Sequence, residues 1–475
     1  MKLIIYILLL SPVISFGQIT FFNSYGGEGN DYGKSIVTAL DTSYTVIGST
    51  ESFGNGNTDM YLFNIDSLGD LKWSKTFGGT NVDWGMDLKQ TIDTGYILCG
   101  YSNSYSWDYD IFIVKTDQNG DSSWTKTYGG NDWDFGYSIE TTSDTGYVIA
   151  GETYSYGSGI SDGYIIKLDS IGDTLWTKTF GGTGKDAFYD VIEAYNGDLL
   201  FAGSTTSVDG DLDYWLVKTD SLGNELWQYT AGDSLNEVIN SVIELTDSNY
   251  FFIGTKESIT GTSLGMEFYK LNETGTFMYG NNYDLANDET GNFIVQYANE
   301  TDVILGGSSN SLGNGGHDVN SLKINEWGFG SIYSNDGTYE DDISEQADTT
   351  ADNGIVIVGT TGGTVNGIKS VFVMKTDANL DSNPTISEVF DITSTNNLEV
   401  KPELHIYPNP ASNIITVKSE TNSLNRTFVI YNVLGEIINT GETDNNEIEI
   451  ATLKSGVYFV AFPKESNELF KFTKI

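Results

Sequence analysis

The chain has 475 residues, 66 acidic and 23 basic, for a formal net charge of −43. Neutralising phosphates needs clustered Lys and Arg, and Arg426 is the one arginine, so nucleic-acid binding and a polybasic membrane patch are excluded. Hydrophobic residues make up 39% and aromatics 13%, too much for a disordered acidic tail, and 54 Gly against 6 Pro suit many tight turns between strands.

In chain order, Lys2, the apolar run Leu3–Ile14 and the small residues Ser15 and Gly17 read as a signal peptide, 1–17, cleaved before Gln18. No later segment reaches the roughly 18 apolar residues of a spanning helix, so no transmembrane segment is expected in the mature chain. No Cys stands at the cleavage point, and the single cysteine, Cys99, lies in an apolar stretch that suits a core position.

From residue 18 to 383 the sequence repeats itself. Lys-Thr-Phe/Tyr-Gly-Gly stands at 75–79, 126–130 and 178–182, and Asn-Ser-Tyr-Gly-Gly at 23–27. An acid follows the glycines at Asp31, Asp83, Asp134, Asp186, Glu237, Asp288 and Asp341, in six steps averaging about 52 residues. The third repeat reads as four strands, 136–142, 147–153, 164–168 and 174–180, with turns at 143–146 and 169–173. Four antiparallel strands per unit describe a propeller blade. The fourth strand carries Trp73, Trp124, Trp176 and Trp227, which stand five residues before Gly78, Gly129, Gly181 and Gly232. Phe21 takes that place before Gly26, and the seventh repeat ends near Asp377 without such a strand. The N-terminal strand is therefore expected to complete the last blade. The fold class is all-β: a seven-bladed propeller closed by an N-terminal strand, then a small Ig-like sandwich.

Units such as 134–139, 145–151 and 178–182 resemble the bacterial seven-bladed beta-propeller repeat family. The resemblance covers about 19–383, is clearest in the first four repeats, and implies fold more than activity.

After a polar linker at 384–403, residues 404–475 change style. Tyr407-Pro408-Asn409-Pro410, then Gly435 after Val433-Leu434, then Gly456-Val457-Tyr458, then a closing 470–475 segment come in order. This set resembles the type A C-terminal sorting domain of the type IX secretion system. The resemblance implies passage through the periplasm, recognition by the type IX machinery, and secretion or attachment at the outer cell surface.

For chemistry the sequence offers little. His317 and His405 are the two histidines, so zinc motifs and Cys/His pairs are absent. The recurrent acids would suit Ca2+ if they converged on a propeller rim, whereas an acid repeated in every unit equally suits bonds to its own turn. Asp66-Ser67-Leu68, Asp169-Ser170-Ile171 and Asp220-Ser221-Leu222 resemble acceptor sites of bacterial protein O-glycosylation, and a hairpin turn explains the same residues. Trp84, Trp133, Tyr105, Trp107, Tyr109, Tyr154 and Tyr156 cluster beside polar loops and would suit sugar rings. The expected function is a secreted or cell-surface binding or adhesion module for a glycan or protein partner. The alternatives are a polysaccharide-active enzyme with paired carboxylates and a structural surface component.

Overall fold

The structure is a computed structural model. It describes residues 19–382 and 405–474, apart from 209, 259–262, 284–286, 298–299, 312, 314, 326, 363–366, 408–410, 419–426, 433–436, 444–445 and 462–468. The signal peptide, the linker, Pro408, Asn409, Pro410 and Gly435 lie outside the described residues. Two compact units divide at Thr393 and Ser394. Every named element is a strand, and among the described residues no helix is long and apolar enough to cross a membrane.

The first unit is a ring of four-stranded antiparallel sheets, six of them built from consecutive strands running from axis to rim. Sheets 1 to 6 span 31–77, 83–128, 134–180, 186–231, 237–283 and 293–336; the seventh combines 342–375 with Phe21–Tyr25. The inner strand of each sheet touches the next, and that of the seventh touches that of the first. The unit is a beta-propeller. In the third sheet the strands run Asp134–Thr141, Tyr147–Thr153, Asp162–Leu168 and Thr174–Phe180, close to the sequence expectation.

Closure follows the expected route. Phe21–Tyr25 runs antiparallel to Ser370–Lys375, with Asn23 opposite Val373. Phe21 and Tyr25 are buried with Tyr44, Phe63 and Val371, so one strand joins the hydrogen bonding of the last sheet to the apolar core of the first. An unpaired rim there would leave a row of amide and carbonyl groups open.

The outer tryptophans fill the gaps between neighbouring sheets. Trp73 packs on Tyr96 at 6.2 Å, Trp124 on Tyr147 at 6.4 Å and Trp227 on Tyr250 at 5.9 Å, each tyrosine belonging to the following sheet. The last hairpin of that following sheet then lies on the indole. A Cβ at Gly120 would stand 2.5 Å from Trp73, and one at Gly172 2.8 Å from Trp124. Both glycines also have φ near +80°. Turn geometry and close approach to the indole therefore demand the same residue. Cys99 is fully buried in this interior, and burial pushes its thiol up.

The second unit pairs a three-stranded sheet (His405–Tyr407, Ile414–Lys418, Glu447–Glu449) with a four-stranded one (Ile437–Glu442, Thr427–Asn432, Gly456–Ala461, Leu469–Lys474). Ala411, Ile415, Val417, Phe428, Ile430, Ile448, Ile450 and Val460 form its core. Tyr458 packs against that core and donates its hydroxyl to Lys454 O at 3.0 Å. Tyr407 and Gly456 lie on its strands.

Replacing Trp124 by Ala removes an inter-sheet plug and is expected to cost about 3 kcal/mol, whereas Trp107→Ala, at a fully exposed ring, is expected to change stability by less than about 0.5 kcal/mol. Urea unfolding of the full chain followed by circular dichroism checks both.

Candidate functional site

The recurrent acids open the inner strands and serve as brackets. Ser52 Oγ donates to Asp31 Oδ2 at 2.7 Å, Thr50 donates to the other oxygen, and the Gly27 N–H donates at 2.8 Å. The same set recurs at Asp83 with Ser102, Ser104 and Gly79, and at Asp186 with Thr205, Ser207 and Gly182. Asp134 takes Ser155 and Gly130. This explains the glycine pairs. A Cβ on Gly26, Gly78 or Gly181 would stand 2.4 Å from the acid's oxygen, and one on Gly27, Gly79 or Gly182 would stand 2.7 Å from the serine Cβ.

Two of the seven acids expected in this series are corrected. In the sixth and seventh repeats the buried residues are Glu289 and Asp342, with Ser309 Oγ donating to Glu289 and the Thr338 N–H donating to Asp342. Asp288 and Asp341 stand one residue earlier and face the loops, Asp288 accepting from Leu264 N–H and Asp341 from His317 N–H and Nδ1. The His317 bonds hold the Asp341 carboxyl below its ordinary value. Neighbouring positions in a strand point to opposite sides, so a one-residue shift exchanges buried for exposed. Among the described residues, no three His, Cys, Asp or Glu side chains come together as a metal site. Asp31, Asp83, Asp134 and Asp186 are held by donors of their own loops, whereas Glu237 is met by Lys256.

Deeper along the axis lies a second ring that the sequence reading missed. Asp87 accepts Ser35 Oγ at 2.7 Å from the first sheet and, at 3.0 Å, both Ser138 Oγ and the Ile139 N–H from the third. Asp190 accepts the Val242 N–H at 2.9 Å from the fifth, and Gln346 accepts Ser35 Oγ at 2.7 Å. Lys89 Nζ stands 3.6 Å from Glu140 and 3.9 Å from Asp87. Burial opposes its charge, yet Asp87, Glu140, Asp190 and Asp348 hold its pKa above the ordinary lysine value. Burial pushes Asp190 up to about 6, against the pull of Lys89. These groups tie the inner strands to one another.

The feature with the chemistry of a binding site is an arc of aromatic rings across sheets 1 to 4. Tyr32, Trp84 and Phe135 each follow a bracket acid, and Tyr137 and Tyr189 stand three residues after one. Tyr32 meets Trp84 at 5.1 Å, Trp84 meets Tyr101 at 6.5 Å, and Tyr101 meets Phe135 at 5.0 Å. Phe135 stacks with Tyr137 at 6.1 Å, and Tyr137 meets Tyr189 at 5.3 Å. Trp133 meets Tyr109 at 6.3 Å and Tyr154 at 5.9 Å. Trp133 is 48% exposed, and the other rings of the arc are half-buried. Tyr137 donates its hydroxyl to Glu152 at 3.2 Å, and Lys369 Nζ lies 5.3 Å over the Tyr32 ring. Burial pushes the Tyr101 phenol up to about 12, keeping it a neutral donor at neutral pH. In sheets 5 to 7 the residues after the bracket acids are Val238, Thr290 and Ile343, so the arc covers one side of the ring only.

Of the seven expected aromatics, Trp84, Trp133, Tyr109 and Tyr154 join this arc. Tyr105 packs instead on Phe112, Tyr156 on Tyr164 with its hydroxyl donated to Gly129 O, and Trp107 projects into solvent. Tyr32, Tyr101, Phe135, Tyr137 and Tyr189 were missed, although aligning the repeats on their acids places Tyr32 and Phe135 in register with Trp84, and Tyr137 in register with Tyr189. At the hairpins, Asp66, Asp169 and Asp220 each accept two N–H groups of their own turn. Asp117 and Asp377 do the same with no Ser following, so the turn accounts for the acid.

Comparison with known proteins bears on the second unit first. Residues 405–475 match the family model described as the secretion system C-terminal sorting domain. The C-terminal unit is a secretion sorting domain. This domain of the type IX system directs export to the cell surface or secretion. The chain is also similar to the regulatory protein FlaEY of Caulobacter vibrioides, 24% identical over 371 residues, covering 71% of this chain and 36% of that protein. The chain thus spans well under half of that relative. Among solved structures, PorZ, a surface component of the type IX secretion system of Porphyromonas gingivalis, is 11% identical with a TM-score of 0.39, covering 91% of this chain and 64% of its own. The polysaccharide lyase Uly1 is 10% identical with a TM-score of 0.46, covering 78% of this chain and 94% of its own.

The acids with raised pKa values predict an inverse pH dependence. Burial pushes Glu237 up to about 7, against the attraction of Lys256 3.0 Å away. An unfolded glutamate titrates near about 4.3, so between that pH and 7 the folded chain holds a proton that the unfolded chain releases. The stabilisation is present below that window and is lost as pH rises through 7. Melting temperatures of the full chain should therefore fall from pH 5 to pH 8, and fall less in Glu237→Gln; an unchanged slope in that variant would refute the assignment.

Proposed function

We propose that the protein is an exported binding protein whose propeller holds a glycan against the aromatic arc of sheets 1 to 4. The observation that carries this reading is the continuity of the arc: successive rings 5.0–6.5 Å apart, with phenol hydroxyls and Glu152 interleaved. Flat rings cover the apolar face of a sugar while edge groups take its hydroxyls, a division of labour that a rigid scaffold makes inexpensive in entropy. The charge of the chain disfavours polyanionic glycans and favours neutral ones.

Neutral polysaccharides such as xylan, arabinan and β-glucan are expected to retard the full chain in affinity gels more than alginate does. Trp84→Ala with Trp133→Ala should weaken retention at least about tenfold, and Trp107→Ala should leave it unchanged. Retention of none of these polymers would refute the glycan reading and leave a protein partner. Chain cleavage in the same panel would replace binding by catalysis.

For export, removing 405–475 should leave the propeller in the periplasm, with none reaching the medium or cell surface by immunoblot of fractions. Secretion of the truncated chain would show that another segment carries the address.

A further inference from the structure

Between the fifth and sixth sheets a cleft of about 540 Å³ opens at the rim, at a place where other sheet interfaces are filled. In every sheet the second strand carries a glycine, and the residue opposite it on the third strand faces the preceding sheet. That residue is Tyr61 opposite Gly48, Phe112 opposite Gly100, Tyr164 opposite Gly151, Trp215 opposite Gly203 and Phe372 opposite Gly359. All five rings are buried and pack into the cores shared with the preceding sheets. In the fifth sheet the residue opposite Gly254 is Glu267, and the hydroxyls of Tyr214 and Tyr269 reach it at 3.3 and 2.8 Å. In the sixth sheet it is Asn320, opposite Gly307, and the space an aromatic ring occupies elsewhere is the cleft.

The lining matches a ring in shape and in chemistry. Met266 and Leu322 supply apolar walls, and Tyr283 and Tyr333 supply aromatic ones. Glu289 lines the cleft and is 1% exposed, while Tyr333 is 44% exposed and forms the open side. Burial and the nearby carboxylates of Glu289 and Asp318 raise the Tyr333 phenol above its ordinary value, so the lining is acidic as well as aromatic. The volume lies in the range of small-molecule sites, and a carboxylate beside phenol faces is the surrounding that an organic ammonium group prefers.

We propose that this inter-sheet cleft binds a small planar aromatic amine, its ring taking the place of the missing aromatic side chain and its ammonium group facing Glu289. The ring regains the contacts that Phe112 or Trp215 makes in its own interface. The carboxylate selects the charged amine over a neutral analogue of the same size. This site lies in sheets 5 and 6, separate from the arc in sheets 1 to 4, and stands or falls independently of it.

The probes are tyramine and the neutral benzyl alcohol, titrated against the purified full chain by calorimetry and by saturation-transfer NMR. Tyramine is expected to saturate with a Kd below about 1 mM, and benzyl alcohol to bind about tenfold more weakly. Asn320→Phe places the plug inside the cleft and should abolish tyramine binding while the circular dichroism spectrum is retained. Tyr333→Ala, at the open wall, should weaken it about tenfold and reads the same site if the larger side chain unfolds the sheet. Glu289→Gln should equalise the two probes. Absence of saturation by tyramine up to about 10 mM, or full binding retained in Tyr333→Ala or in folded Asn320→Phe, would overturn the site. Equal affinity for the two probes in the unaltered chain would overturn the amine.

Discussion

A four-stranded sheet with two apolar faces cannot stand alone in water, and this constraint organises the propeller. Each sheet buries one face on its predecessor and the other on its successor, so no sheet is complete until the ring closes. The last contact is made by Phe21–Tyr25, which is joined by hydrogen bonds to the seventh sheet and by side chains to the first. The strand nearest the start of the mature chain and the strand near residue 375 thus form one edge, and the closure is non-local in the extreme. Slow folding relative to a local helical fold is the expected consequence of pairing such distant segments.

The same constraint explains where polar groups enter a largely apolar interior. The bracket acids hold the loop between sheets by taking two side-chain hydroxyls and one backbone N–H, as at Asp31 and Asp186. The axial ring of Asp87 and Asp190 bonds to inner strands on either side. Buried carboxylates are costly unless met by donors, and here the donors are hydroxyls 19 and 21 residues along the repeat for Asp31 and groups of the neighbouring sheets for Asp87. Where the repeat is worn the satisfaction changes character: Glu237 is met by Lys256 instead of a hydroxyl pair, and burial raises its pKa although Lys256 pulls it down.

Divergence among the repeats is also what distinguishes one side of the ring from the other. The first four sheets keep the tryptophan and glycine framework and add aromatic residues beside the bracket acids, building the arc. The fifth and sixth lose the outer Trp and, in the sixth, the aromatic opposite Gly307, leaving a cleft. A ring of near-identical sheets tolerates such local losses because each interface depends chiefly on its two neighbours.

Much of the scaffold was legible in the sequence alone. The period near 52 residues, the outer Trp five residues before a glycine and the Phe21 stand-in specified the sheets and their closure, because six of the sheets are made of adjacent strands and short turns and the seventh lacks only its outer strand. The ordered motifs of the last 72 residues marked the sorting domain. Tertiary structure alone decided which of two adjacent acids is buried at 288–289 and 341–342, since strand register sets which one faces inward. It alone separated Trp84, Trp133, Tyr109 and Tyr154, which meet in the arc, from Tyr105, Trp107 and Tyr156, which do not. Sequence spacing places a ring on a loop, but only the packing of one sheet against the next determines which rings from different repeats share a surface and where a missing ring leaves room.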